Sequence, residues 1–195
     1  MTGEILTQLT GPDGWPVTLA DMYRELRLDP EGDPPTHPED NQLTDLIAAA
    51  TGQVDGPDGI LGRALLTQRW QLILPGFPPE TILLPLPPLQ SVEAVRVRQS
   101  DHSWLELETD AYQLVPHELG QALRPADGTD WPSTVTHDQA VQIDFTCGYG
   151  EAADVPMPVR SAIRRLVAHL FWGREEAGDM PISLGRLLGS YRVYL

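Results

Sequence analysis

The apolar positions of this chain change their period twice. Leu19, Met22, Tyr23 and Leu26 recur at i, i+3, i+4 and i+7, the stripe of a short amphipathic helix. Thr18 stands ahead of it as an N-cap, and Asp21, three residues on, completes an approximate capping box. The stripe stops before Asp29-Pro30, and Glu31 to Pro38, with three prolines, reads as a loop. A second helix is expected from about Pro38, with Glu39 and Asp40 at the positive end of its dipole. Its buried face would carry Leu43, Leu46, Ile47 and Ala50. Gly52 and the Asp55-Gly56-Pro57-Asp58-Gly59 run interrupt it, and Ile60 to Leu65 resumes after a turn.

The period then falls to two. Arg69–Leu74, Val92–Arg98, Trp104–Glu108, Tyr112–Val115 and Val141–Cys147 alternate, giving about five short strands. Leu83 to Leu89 (LLPLPPL) lies between them. Its prolines exclude a central strand, so its apolar side chains are expected along a sheet edge. The helical period returns after Pro156 and Pro158, with Val159, Ile163, Leu166, Val167 and Leu170 on one face. Arg160, Arg164 and Arg165 take the other faces, and Gly173 and Gly178 end the helix. Leu184, Leu187, Leu188 and Tyr191 then suggest a short helical turn before the closing Arg-Val-Tyr-Leu.

Residues 1–17, punctuated by Gly11-Pro12-Asp13-Gly14 and Trp15-Pro16, read as an irregular N-terminal arm. The expected organisation is therefore an arm at 1–17, a helical part at 18–66 and a β subdomain at 67–149. A long helix at 150–177 completes the helical core, and a tail follows at 178–195. The fold class is α+β: a small helical bundle with an inserted antiparallel β subdomain.

Charge narrows the function. The chain carries 28 acidic and 13 basic residues, a net charge of -15, and every basic residue is arginine. Such a surface gains little from displacing counterions on nucleic acid and is repelled by anionic membranes. No apolar run is long enough to span a bilayer, and the first residues lack the basic and apolar regions of a signal peptide. Cytoplasmic synthesis is the expectation.

Chemistry-bearing residues are scattered. His37, His102, His117, His137 and His169 lie far apart, and His117-Glu118 is not followed by a second histidine at metalloprotease spacing. The lone Cys147 ends an apolar strand with no basic neighbour to lower its pKa, which favours a buried structural thiol. Gly148-Tyr149-Gly150 lacks the pattern of a phosphate cradle, and Gly56 to Gly62 lacks the Lys-Ser/Thr of a P-loop. Asp55-Gly56-Pro57-Asp58 lacks the remaining ligands of a calcium loop. The expectation is no catalytic residue, no cofactor and no metal. The three arginines of the last long helix are expected to meet carboxylates within the fold or across a subunit boundary. An apolar C-terminal end suggests docking.

Four phrases, in order, resemble the head–tail connector (adaptor) family of long-tailed phages and gene transfer agents. They are Asp45 to Thr51; Ile60 to Gln68 with Trp70; Leu84 to Val92 (LPLPPLQSV); and Phe145 to Val155 followed by Pro156, Pro158, Val159 and Arg160. The resemblance spans about residues 18–172. It implies a connector-type helical bundle and a dodecameric ring at the head–tail junction of the virion, attached beneath the portal and docking the next joining (stopper) protein. DNA would pass through the channel without specific binding. In that family a C-terminal segment engages the portal, a role that falls here to Leu184, Leu187, Leu188, Tyr191, Val193, Tyr194 and Leu195, with Arg160, Arg164 and Arg165 as candidate subunit contacts. The arm at 1–17 and the loop at 30–38 are longer than the family pattern. Two other readings compete. One is a different joining protein, a stopper or tail-completion factor. The other is a β-rich ligand-binding module with Trp70, Trp104, Trp131 and Trp172 around a pocket.

Overall fold

The capping box forms as its spacing requires. In the computed structural model, which describes residues 3–79, 81–173 and 182–193, the Asp21 amide donates to Thr18 Oγ1 at 3.2 Å. The Asp21 carboxylate accepts from the Thr18 amide at 3.1 Å. This pair of bonds starts α1 (Leu19–Leu26), which ends where Arg27 turns left-handed and donates to the Tyr23 carbonyl. Helix α2 (Asp40–Gly52) begins two residues later than the proline pattern indicated. Its start is fixed by Asp40, whose carboxylate accepts from the His37 amide and from the Tyr23 hydroxyl.

Among the described residues the fold is mixed α+β, with four α-helices and two antiparallel sheets. The chain divides into two compact units. Over the described residues, one comprises 13–66, 149–173 and 182–193, the other 3–12, 67–79 and 81–148. In the first, α1 and α2 share a core with α3 (Met157–Trp172) and α4 (Ile182–Leu188). Met22, Leu43, Ile47, Leu61, Leu65, Ile163 and Leu166 are its largest fully buried side chains. A short 3₁₀ turn (Gly189–Tyr191) follows α4.

The second unit holds eight strands. β1 (Ile5–Thr10), β2 (Gln68–Leu74), β8 (Val141–Cys147), β4 (Leu89–Arg98) and β5 (Trp104–Glu106) form a five-stranded sheet in that order. β3 (Ile82–Leu83), β7 (Gly120–Pro125) and β6 (Tyr112–His117) form the other. Trp70, Leu72 and Leu74 pair in register with Phe145, Ile143 and Val141. All six are buried on one face of the sheet.

Three expectations need correction. The N-terminal arm is not irregular throughout, because Ile5–Thr10 is an edge strand paired antiparallel to β2. It carries no apolar alternation, because nearly every position is exposed. Among the described residues the strand count rises from five to eight with β1 and β3, both at sheet edges, and β7, which ends on Pro125. Leu84 and Leu86 of the proline-rich stretch are buried, and the Leu84 amide donates to the Gln121 carbonyl beside β7. Over the described residues 182–193, the C-terminal tail does not stand apart from the helical core, since Leu184 and Leu188 belong to it.

Both cores should respond to truncation. Phe145→Ala is expected to cost about 3–5 kcal/mol and Ile163→Ala about 2–5 kcal/mol, read from urea unfolding monitored by circular dichroism.

Candidate functional site

The charged groups of the helical unit converge on one carboxylate. Asp21 sits in the first turn of α1 and is 5% exposed. Besides its bonds to Thr18, it pairs with Arg24 at 2.7 Å. Arg160 and Arg164 of α3 approach it at 3.7 and 4.0 Å. Burial alone would raise the Asp21 pKa, but the Thr18 hydrogen bonds, Arg160 and Arg24 outweigh it and hold the carboxyl below its ordinary value. Arg160 also donates from Nε to the Pro16 carbonyl at 3.1 Å, and Arg164 lies 3.9 Å from Glu25. Two of the three arginines named from sequence are thus committed within the chain. Arg165 has no ion pair among the described residues: it is exposed, one residue further round the helix.

The tail residues named as docking candidates behave in the same way. Leu184 and Leu188 are buried, while Leu187 and Tyr191 pack partly buried against the same core. Arg63 Nε donates to the Tyr191 carbonyl, and the Val193 amide donates to the Leu61 carbonyl at 2.8 Å. The backbone approach here is close. Gly62 holds φ +60°, and a Cβ added to it would lie 2.8 Å from the Val193 carbonyl oxygen. Tyr194 and Leu195 lie outside the described residues.

On the β unit, a polar row crosses the face opposite the buried one. Gln71 Nε2 and Arg96 Nη1 each donate to the Asp144 carboxylate at 2.7 Å, and Arg96 Nε donates to Glu106 at 2.9 Å. The Asp144 hydrogen bond leads in raising the Arg96 pKa. Next to this row the Arg98 guanidinium lies 5.8 Å from the Trp104 ring centre and 3.1 Å from His137 Nε2.

A groove of about 810 Å³ opens beside β2 and β3, lined by Leu72, Leu74, Phe77, Ile82, Pro85 and Leu119 among others. None of the four tryptophans named from sequence lines it. Trp70 is buried and donates to Gln68 Oε1, Trp131 stacks on Phe77, Trp104 meets Arg98, and Trp172 is 69% exposed on α3. The four do not converge on this groove.

Histidine chemistry proves local. His37, His117 and His137 each accept, at Nδ1, the backbone N–H two residues on, from Glu39, Leu119 and Gln139. They act as turn acceptors in the manner of Asn or Asp. Cys147 is buried and its thiol donates to the Gln68 carbonyl at 3.8 Å. Among the described residues no three His, Cys, Asp or Glu side chains are grouped to hold a metal ion, and no helix is long and apolar enough to cross a membrane.

Solved structures supply the comparison. A chain of the virion of a native gene transfer agent particle superposes with a TM-score of 0.78 at 25% identity, over 98% of this chain and 96% of that one. A chain of the neck of an empty particle, computed with C6 symmetry, gives 0.79 at 24% identity with the same coverage. The chain shares its fold with a gene transfer agent neck chain. A chain of the neck of the native particle, computed with C12 symmetry, gives 0.76 at 23% over the same shares of the two chains. No family model matches the sequence, and no curated protein matches it. The likeness runs the length of the chain and includes both units.

Asp21→Asn should lower stability by about 1–2 kcal/mol at neutral pH, through loss of charge-assisted caps. The folded pKa is depressed, so this contribution is complete above the ordinary aspartate value of 3.8. It is lost as pH falls through the lower folded value. Urea melts of the two proteins should therefore differ at pH 7 and converge in strong acid. Gly62→Ala should cost about 1–3 kcal/mol in the same assay, from left-handed strain and the clash with Val193.

Proposed function

We propose that this chain is a structural protein of a virion neck, a head–tail connector of connector-type helical bundle architecture that forms a ring beneath the portal. The observation that carries the reading is the superposition of the whole chain on chains of the gene transfer agent virion and neck, at TM-scores of 0.76 to 0.79. The sixfold and twelvefold symmetries of those necks support a dodecameric ring. The four sequence phrases shared with the connector family point the same way.

Its partners in this reading are other copies of itself, the portal ring on one side and the next joining protein on the other. DNA passes through without being held. A net charge of -15 per copy, repeated round a channel, supplies a repulsive wall. The chain has no catalytic residue, cofactor or metal in this role, and it is made in the bacterial cytoplasm before joining the virion.

The purified full-length chain should co-sediment in fixed stoichiometry with the portal ring of its own genome. Deleting its gene should leave DNA-filled heads and separate tails, visible by electron microscopy. Binding to tail components but not to portal would instead favour a joining protein further down the neck. Intact particles from the deletion strain would sink the reading altogether.

A further inference from the structure

Helix α3 turns an unusual face to solvent. Met157 is 60% and Trp172 69% exposed, although methionine and tryptophan are usually covered in a monomer. Both lie on one stripe of the helix, with Arg165 between them. Helix α3 carries Arg160, Arg164 and Arg165 and no carboxylate. Arg160 and Arg164 face Asp21 and Glu25, whereas Arg165 has no ion pair among the described residues.

Helix α2 is the complement. It carries Asp40 and Asp45 and no base. Asp40 is occupied by Tyr23 and His37, whereas Asp45 is exposed and has no ion pair among the described residues. Its stripe continues through Ala48 to Gly52, and nothing lies within 4 Å of the position a Cβ on Gly52 would take. Both helices bury their opposite faces, Leu43, Ile47 and Ala50 on α2 and Ile163 and Val167 on α3, in the same core. The two exposed stripes therefore point away from that core and do not meet within one chain.

We propose that the α3 stripe of one copy packs on the α2 stripe of a second copy, with Arg165 paired to Asp45 of the neighbour. The inference rests on the reading of the chain as a ring component and names the surfaces that build the ring. Charge complementarity selects a second copy as the occupant: an exposed cation flanked by large apolar groups meets an exposed anion flanked by small residues. The spacings agree. Positions 161, 165, 168 and 172 and positions 41, 45, 48 and 52 step by the same intervals along their helices. With the helices parallel and Arg165 beside Asp45, the Trp172 indole falls at Gly52, where there is open space for it. The contact is heterologous, so each copy offers α3 to one neighbour and α2 to the other, which is the arrangement that closes rings.

Heterologous pairing allows a test by mixing. Sedimentation of the full-length chain from micromolar to millimolar concentration should show self-association. R165E and D45R should each remain monomeric, because every junction would then hold two like charges. An equimolar mixture of the two should associate again, since alternating copies give either the native or the reversed pair at every junction. The R165E/D45R double variant should also associate, and Trp172→Ala should weaken association at least tenfold. Thermal melts of all variants should match the unaltered chain, as these side chains are exposed. A chain that stays monomeric throughout overturns the proposal, as do single variants that associate normally or a mixture no better than its parts. Tagged chain in purified particles separates the two ideas. Its presence in particles alongside indifferent R165E and D45R variants removes this interface and leaves the neck reading standing; its absence from particles removes the neck reading itself.

Discussion

The helical core closes only if two stretches of chain, separated by residues 67–148, return to the same place. The pairing of β2 with β8 makes this happen. The strand that leaves the helical unit and the strand that re-enters it are antiparallel neighbours, with Gln68 opposite Cys147. One step beyond the ladder, the Tyr149 amide donates to the Leu65 carbonyl at 2.9 Å. The entropy of closing so long a loop is thereby met inside the β unit, by strand pairing that the unit needs in any case. Helix α3 then begins close to where the first helical segment stopped, and Val159, Ile163 and Leu166 complete the core begun by Met22, Leu43 and Ile47.

Electrostatics follows a similar economy. The chain has more than twice as many carboxylates as arginines, and several arginines serve as internal ties. Arg160 and Arg164 hold α3 to the start of α1, Arg63 holds the segment after α4, and Arg96 bridges Asp144 and Glu106 across the sheet. The guanidinium fork suits this work because one group can reach two acceptors at fixed geometry, as Arg96 does. What remains for the outer surface is predominantly negative.

Much of the helical unit was legible in the sequence because its signals are local. The Thr18 and Asp21 box, the i, i+3, i+4 stripes and the prolines ahead of α3 each depend on neighbours a turn away. The strands of the second sheet were harder, since β3 has only two residues and β7 ends on a proline. β1 is not legible, because Thr-Gln-Leu-Thr on an exposed edge carries almost no burial signal. Leu184 and Leu188 read as apolar and periodic, and periodicity shows that a face is buried, not what buries it. The arginine trio divides for a different reason. Arg160 and Arg164, four apart, share a face, whereas Arg165 is turned by one residue toward solvent. Grouping all three concealed that difference.

The place of β1 also sets an order of events during synthesis. Thr10 leaves the ribosome well before Gln68, and the segment between them belongs to the other unit. At roughly 5–20 residues per second, β1 waits roughly three to twelve seconds for the strand it will pair with. During that interval its backbone donors and acceptors are open to any passing strand. Its exposed polar residues Thr7, Gln8 and Thr10 and the register irregularity between Gln8 and Thr10 make it a poor template for such encounters. The feature that hid this strand from sequence reading is the one that lets the nascent chain wait safely.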